Sequence, residues 1–370
     1  MIMRLRNIFS KPGGTLPTAA ISALCVVFIL LASAMTASGE TKDKVPAGRR
    51  TVVTAAGATF PLPFYNEAFK AYWQRNSVPV TYAGIGSGKG LESLRDQQTD
   101  FIGIDVPPTR EQLDSLPAQA LVVPMCVGAV EIAYNLEGVD NLRLTGELIA
   151  DIYLGELTRW NDPRIAAVNP DRQLPDKEIY PIFRLDGSGT TYAFTHYLSQ
   201  TSAEWKAAVG TGMHPQFPHG VAATGTPGIA TLIEKIPGAI GYASSGYSVA
   251  YSLQRAEIRN AAGNFTLPTA ESIAAAAREA SATDIMITNS TAPEAYPISC
   301  FSWVMLYKEQ DYAGRSRGEA EATVCVLRWL AGPEAQAIAS RLNYAPLPTK
   351  VAAKALETLD KVTYKGKEIK

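Results

Sequence analysis

The run from Ile179 to Leu198 constrains the fold more than any other stretch of this chain. Ile179-Tyr180-Pro181-Ile182-Phe183 reads as an apolar strand, and Tyr192-Ala193-Phe194-Thr195-His196-Tyr197-Leu198 as an amphipathic helix. Between them stands Arg184-Leu185-Asp186-Gly187-Ser188-Gly189-Thr190-Thr191. A strand handing over to a helix through a Gly-Ser-Gly turn has the parts of an anion cradle. The first N–H groups of a helix have no intrahelical acceptor, and the helix dipole puts positive partial charge beside them. Gly187 and Gly189 allow close approach of a ligand to the backbone. Ser188 and Thr190 offer hydroxyl donors, and Arg184 offers a planar cation suited to a tetrahedral oxyanion. The plainer reading of these residues is a helix capped by Asp186 or Ser188.

A second unit of this kind comes earlier. Residues 78–82 form a strand, Gly84-Ile85-Gly86-Ser87-Gly88-Lys89-Gly90 a turn, and residues 91–98 a helix. A nucleotide reading fails here. The dinucleotide fingerprint needs Gly where Lys89 stands, and the Walker pattern needs Gly at Ala83 and Ser or Thr at Gly90. A third unit opens with a strand at 51–55, continues through Gly57-Ala58-Thr59-Phe60-Pro61, and enters a helix over 62–75. Tyr65, Phe69, Tyr72 and Trp73 fall on one face of that helix and read as core.

The remaining pattern repeats the alternation. Strands are expected at 100–105, stopped by Pro107-Pro108, and at 120–124, 127–135, 239–243 and 297–307. Helices are expected at 145–154, capped by Thr145, after Asn161-Asp162-Pro163, and after a capping box Thr201-Ser202-Ala203-Glu204. Others follow at 226–236, 271–279, 320–330, 334–342 and 349–361. Strands alternating with helices make this an α/β chain, and 370 residues leave room for two domains.

Charge excludes some partners. The formal net charge is -1 with no polybasic run, so nothing points to nucleic acid or to membrane lipid. Arg4, Arg6 and Lys11 precede an apolar run from Thr18 to Ala34, with no acid before Glu40. Residues 1–34 therefore read as a signal peptide, cleaved after Ala34 or Ser38, with a retained anchor as the alternative. Cys25 lies inside the apolar run and not at its end, so it does not read as a lipid acceptor. Residues 35–50 read as a flexible leader. Removing 1–34 takes away three cations and moves the net charge to -4. An anion cradle on such a chain must work by local geometry and not by bulk field. Cys126, Cys300 and Cys325 remain. Cys126 and Cys300 follow similar Pro-led runs and fit neighbouring strands; one disulfide with a spare thiol and three buried thiols both stay open. His196, His214 and His219 do not have metal-ligand spacing.

Taken together, the loops resemble those of the PstS phosphate-binding proteins of ABC transporters. The matching motifs are Gly57 to Pro61, Gly84 to Gly88, Asp100-Phe101 running to Asp105 and Pro107, Asp151-Ile152-Tyr153-Leu154-Gly155 with Trp160-Asn161-Asp162, Arg184 to Thr190, Val209 to Gly212, and Pro237 to Tyr242. They occur in order across residues 51–350. The resemblance implies a type II periplasmic-binding-protein clamp of two α/β domains with two crossover strands as hinge. Domain I would comprise 51–127 plus 299–370, and domain II 128–298, with the crossovers in the runs that carry Cys126 and Cys300. It implies phosphate ligands at Thr59, Phe60 through its N–H, Ser87, Asp105, Arg184, Ser188, Gly189 and Thr190, with Asp186 holding Arg184. It also implies a monomeric periplasmic receptor for a membrane permease, not an enzyme, with no cofactor or metal.

Asp105 is the unusual member of that set. A carboxylate facing an oxyanion is repulsive unless the anion carries a proton; phosphate near neutral pH keeps one and sulfate does not. Charge-assisted hydrogen bonds contribute about 1.5–3 kcal/mol each, and a micromolar site needs about 8 kcal/mol net, so the surplus covers desolvation and closure. Competing readings are a receptor for another oxyanion such as sulfate, a phosphate-ester hydrolase, and an extracellular scavenger on the same clamp. No Gly-x-Ser-x-Gly elbow surrounds Ser87 or Ser188. Three stretches depart from the family pattern: Lys89 is charged, the segment from Gly103 to Pro108 is bulkier, and Ser244-Ser245-Gly246-Tyr247 replaces a more acidic and aromatic rim.

Overall fold

The computed structural model describes residues 51–106, 108–278, 280 and 286–369. The expected signal peptide and leader lie outside them, as do Pro107 and Glu279. The strands in chain order are β1 (Val53–Gly57), β2 (Val80–Gly84), β3 (Phe101–Ile104), β4 (Ala120–Tyr134), β5 (Arg143–Leu144), β6 (Tyr180–Arg184) and β7 (Val221–Ala223). They continue with β8 (Ala239–Ser244), β9 (Gln254–Arg255), β10 (Glu257–Arg259), β11 (Phe265–Thr266), β12 (Ser299–Tyr307), β13 (Thr363–Tyr364) and β14 (Lys367–Glu368).

Nine of these strands make one sheet in the order β2-β1-β3-β12-β4-β8-β6-β7, with β9 also paired to β4. Its two flanks are parallel: β2, β1 and β3 on one side, β8, β6 and β7 on the other. The antiparallel pair β12 and β4 joins them. β4 is long enough to serve both flanks, pairing with β12 over 120–129 and with β8 over 130–134. From Val123 onward every residue of β4 is buried, as is all of β12. A strand covered on both faces has no need to alternate, which is why these two read as unbroken apolar runs.

The sequence pattern suggested two strands here, broken at Pro124. The structure carries one strand through it by a bulge. Trp303 faces Pro124 and Ser302 faces Cys126, leaving Met125 unopposed. The extra residue absorbs the ladder bond that proline cannot donate. Glu131 is the polar exception in β4. Its buried carboxylate accepts from Asn343 Nδ2 at 3.2 Å and from the Ser248 hydroxyl, and lies 3.7 Å from Arg255 Nη1. Burial pushes its pKa well up, against Arg255 and Asn343, which lower it.

Local chemistry moves several boundaries. The helix expected at 91–98 is Ser87–Arg95, starting at the serine itself because Gly86 turns the chain at φ +89°. The box expected at Thr201 is an N-cap by Ser202, whose oxygen accepts the Trp205 N–H at 3.0 Å; Thr201 is the last residue of the preceding helix. The helix expected at 271–279 begins at Ala270 behind a Thr269–Ser272 capping box and runs to Ala277. In Leu62–Asn76 the residues Phe64, Tyr65, Phe69 and Tyr72 pack inward, whereas Trp73 is 55% exposed, one residue past the buried stripe. Short helices at Arg110–Asp114 and Ser245–Ala250 were not anticipated from the pattern.

Cys126 and Cys300 do lie on paired strands, but Cys126 faces Ser302 and Cys300 faces Gly128, and all three cysteines are free. Cys325 is exposed, against the expectation of three buried thiols. Thiol titration of the chain from residue 35 should therefore find one reactive group in the native protein and three after denaturation. Fewer than three in denaturant without reductant would mean a disulfide and would overturn this assignment.

Candidate anion-binding site

The carboxyl ends of parallel strands from both flanks of the sheet converge on one place. β1 ends at Gly57 and delivers Thr59 and Phe60; β3 ends at Ile104 and delivers Asp105; β6 ends at Arg184 and runs into the helix Gly189–Thr201. Ser87 enters from the turn after β2. Crevices beyond the carboxyl ends of such strands are where open α/β sheets bind ligands. Thr59, Ser87, Asp105, Arg184, Ser188 and Thr190 are all buried polar residues.

Arg184 organises the cluster. Its Nε donates to Asp186 Oδ1 at 2.8 Å, and its Nη2 donates to Asp186 Oδ2. Its Nη1 reaches Thr59 Oγ1 at 3.3 Å and Thr226 Oγ1 at 3.2 Å, and those two hydroxyls are 2.9 Å apart. Asp186 Oδ1 also accepts the Gly225 N–H at 2.9 Å. Burial alone would raise the Asp186 pKa, but the hydrogen bonds and charge of Arg184, with the Gly225 N–H, outweigh it and hold the carboxyl below its usual range. Tyr242 braces the unit from behind: its hydroxyl accepts the Arg184 N–H at 3.0 Å and shares a 2.8 Å bond with Thr191 Oγ1.

The helix start has its anticipated cap. Ser188 caps it, its oxygen accepting the Thr191 N–H at 3.2 Å, so the plainer reading holds for that residue. The neighbouring hydroxyl of Thr190 is buried without a protein partner, as is that of Ser87. Two buried hydroxyls left unpaired at one crevice cost free energy that a ligand would recover. Gly189 packs directly on Asp105: a Cβ there would stand 2.6 Å from Asp105 Cβ. Gly86 is equally tight, since a Cβ would meet Asp186 Oδ2 at 2.7 Å. The turns themselves touch, the Gly88 N–H donating to the Gly187 carbonyl at 3.3 Å. Phe60 is buried with its carbonyl held by Ser244 Oγ at 2.9 Å and by the Tyr344 hydroxyl at 2.6 Å.

Asp105 is 2% exposed and accepts one regular hydrogen bond, from Ser302 Oγ to Oδ1 at 3.1 Å. Burial raises its pKa to about 7, opposed by Ser302, Arg184 and Thr190. Thr190 lies near enough to lower that value without making a bond of regular geometry.

All of the expected site residues therefore come together, and Lys89 stands exposed on the first turn of its helix. Two participants were missed. Thr226 had been read only as a helix start, although Gly225-Thr226-Pro227 is another Gly-hydroxyl turn. Ser302 carried no signal, being one serine inside the buried run of β12. The histidines sit elsewhere: His196 Nδ1 pairs with Thr288 Oγ1 at 2.7 Å, and His219 packs on Gly155. Among the described residues, no group of three or more His, Cys, Asp or Glu is placed to hold a metal.

The family model of a PBP superfamily domain matches residues 43–334. The phosphate-binding protein PstS of Xylella fastidiosa is 36% identical over 303 residues, covering 80% of this chain and 81% of the relative. That of Pasteurella multocida is 35% identical over 311 residues, covering 82% and 88%. The chain belongs to the PstS family of phosphate-binding proteins. The crystal structure of a phosphate binding protein from Stenotrophomonas maltophilia, at 16% identity, has a TM-score of 0.62 over 83% of this chain and 93% of that one. The fold is thus the two-domain periplasmic-binding-protein clamp, as the PstS resemblance implied. No helix among the described residues is long and apolar enough to cross a membrane.

The raised pKa of Asp105 has a consequence for stability. Between its ordinary value of 3.8 and about 7 the folded chain holds a proton that the unfolded chain has lost. Stability of the phosphate-free protein should therefore fall as pH rises through that window and level off above it. Thermal melts from pH 4.5 to 8 should show this slope in the native sequence and a shallower one in Asp105→Asn. Equal slopes would remove Asp105 as its source.

Proposed function

We propose that this protein is a periplasmic receptor that binds inorganic phosphate and delivers it to the permease of a phosphate ABC transporter, acting as a monomer without cofactor or catalysis. Residues 51–127 with 299–370 form one lobe and 128–298 the other. β4 and β12 cross between them and act as the hinge. The handover of β4 from β12 to β8 at residues 129–130 supports that boundary. Phosphate sits where the strand ends converge. Thr59, Ser87, Ser188 and Thr190 donate through hydroxyls, Phe60 and Gly189 through backbone N–H groups, and Arg184 through its guanidinium. Asp186 holds Arg184 in place.

The observation that carries this reading is Asp105, a buried carboxylate set against the start of the helix Gly189–Thr201 among donors. Donors alone would accept any tetrahedral anion. One fixed acceptor among them demands a ligand with a proton to give, which hydrogen phosphate has and sulfate lacks. Arg184 is already paired with Asp186, so the site holds its ligand with directed dipoles more than with net charge. Discrimination then follows from the cost of placing two acceptors face to face in a desolvated crevice.

Calorimetric titration of phosphate-stripped protein with phosphate, then sulfate, from pH 5 to 8 tests this. Tight phosphate binding with negligible sulfate binding at pH 8 is expected. Asp105→Asn should weaken phosphate by about ten- to a hundredfold, the worth of one charge-assisted hydrogen bond, and should gain sulfate binding. Equal affinity of the native protein for both anions would defeat the selectivity argument, and binding of neither would defeat the function.

A further inference from the structure

We infer that Ser302 is the positioning residue that makes Asp105 a one-sided acceptor: its hydroxyl occupies Oδ1 and leaves Oδ2 to read the proton of the bound anion. The inference rests on phosphate being the ligand.

Ser302 stands on β12, the crossover strand, and not on any of the ligand loops. It is fully buried and sits at the bulge, opposite Cys126 and beside Trp303, which pairs with Ile104 at the end of β3. That register brings its Oγ within 3.1 Å of Asp105 Oδ1. The other serine of the strand, Ser299, donates to the Tyr296 carbonyl at 2.8 Å, the usual fate of a hydroxyl in an apolar run. Ser302 donates to a carboxylate instead. The bond takes one of the two lone pairs on Oδ1 and fixes the plane of the carboxylate, while Oδ2 accepts no protein hydrogen bond of regular geometry among the described residues.

Thr190 also lowers the Asp105 pKa, but without a hydrogen bond of regular geometry, so the bond from Ser302 is the one that fixes the carboxylate among the described residues. Arg184 lowers the Asp105 pKa by its charge, but its nitrogens are bonded to Asp186, Thr59 and Thr226. The phenols of Tyr65, Tyr82, Tyr247 and Tyr344, on a helix, on β2, on a second helix and on a loop, lie close enough to feel the Asp105 charge, and all are raised, chiefly by burial, above their ordinary values. The thiols of Cys126 and Cys300, on β4 and β12, are raised likewise. These groups stay neutral across the working range, and burial beside them favours the protonated acid. Ser302 is what works against that from the protein side at Oδ1. Without its O–H, Asp105 holds its proton to a higher pH than in the native protein and turns from acceptor to donor there. A donor there welcomes sulfate and no longer favours hydrogen phosphate.

The test is the pH profile of both affinities, by calorimetry from pH 5 to 9, in the native protein and in Ser302→Ala, Ser302→Thr and Ser302→Cys. In the native protein sulfate binding should emerge only as the pH falls and Asp105 becomes protonated. In Ser302→Ala that emergence should move up by about one pH unit, the scale of one hydrogen bond to a charged group, with phosphate affinity at pH 8 falling at least several-fold. Ser302→Thr should restore the native profile. Ser302→Cys, a near-isostere with a weaker donor, should shift in the same direction as alanine and supplies the reading if alanine fails to fold. A uniform loss of affinity at every pH, or an unmoved profile in folded alanine and cysteine variants, overturns the role of Ser302 while leaving phosphate binding intact. A native protein that binds no phosphate at any pH overturns the functional reading itself.

Discussion

A guanidinium buried as deeply as that of Arg184 must find acceptors for its donors, and the positions of those acceptors shape the crevice. Asp186 alone satisfies the inner edge of the fork and neutralises the charge. The outer nitrogen is met by Thr59 and Thr226, which belong to opposite flanks of the sheet. Taking one partner from a buried ion pair is costly, because the other charge is left without compensation. The Arg184 side chain therefore ties the turn after β1 to the helix Gly225–Lys235, and the approach of these loops is part of how the arginine is solvated. The same contacts bring Gly189 against Asp105 and Gly88 against Gly187. Glycine is required at residue 189, where a Cβ would stand 2.6 Å from Asp105 Cβ.

The sheet explains how such distant segments arrive together. Each flank is parallel, so its strands end on the same edge and its helix starts point the same way. The antiparallel pair β4 and β12 sets the flanks edge to edge, and the bulge at Met125 rotates the side chains that follow it. Without that extra residue the register beyond it would shift and the inward set of side chains would exchange faces. Glu131 fastens the same strand further along, with Asn343 and Arg255 at Oε1 and Ser248 at Oε2.

What the sequence made legible follows from the range of the interactions involved. The turns at Thr59, Ser87 and Ser188 were readable because a Gly/Ser stretch between a strand and a helix is a local device, carried by adjacent residues. Their convergence was legible only through the family resemblance, since no spacing rule places residue 59 beside residue 226. Ser302 was silent because one hydroxyl in a buried strand has no periodicity to break. The boundary errors are physical too. Gly86 starts its helix at Ser87 because a positive φ lets the chain turn there, and Pro124 does not end β4 because a bulge accommodates it. Trp73 was assigned to the core by helical spacing, yet the buried stripe is narrower than that face and Tyr72 already occupies its edge.

The charge balance of the crevice ties these observations to selectivity. A strongly positive site would hold any dianion tightly and would discriminate poorly, because Coulomb attraction does not distinguish phosphate from sulfate. Here the cation is matched by Asp186 and a second carboxylate, Asp105, faces the same space. The attraction that remains comes from oriented N–H and O–H groups, which are short in range and specific in direction. Against that background one acceptor has a large effect, since a wrongly protonated ligand gains nothing elsewhere to offset the clash. On the proposed reading the arrangement gives up electrostatic affinity and gains dependence on a single proton. That dependence is then only as sharp as the seating of the Asp105 carboxylate, which Ser302 on β12 holds at Oδ1.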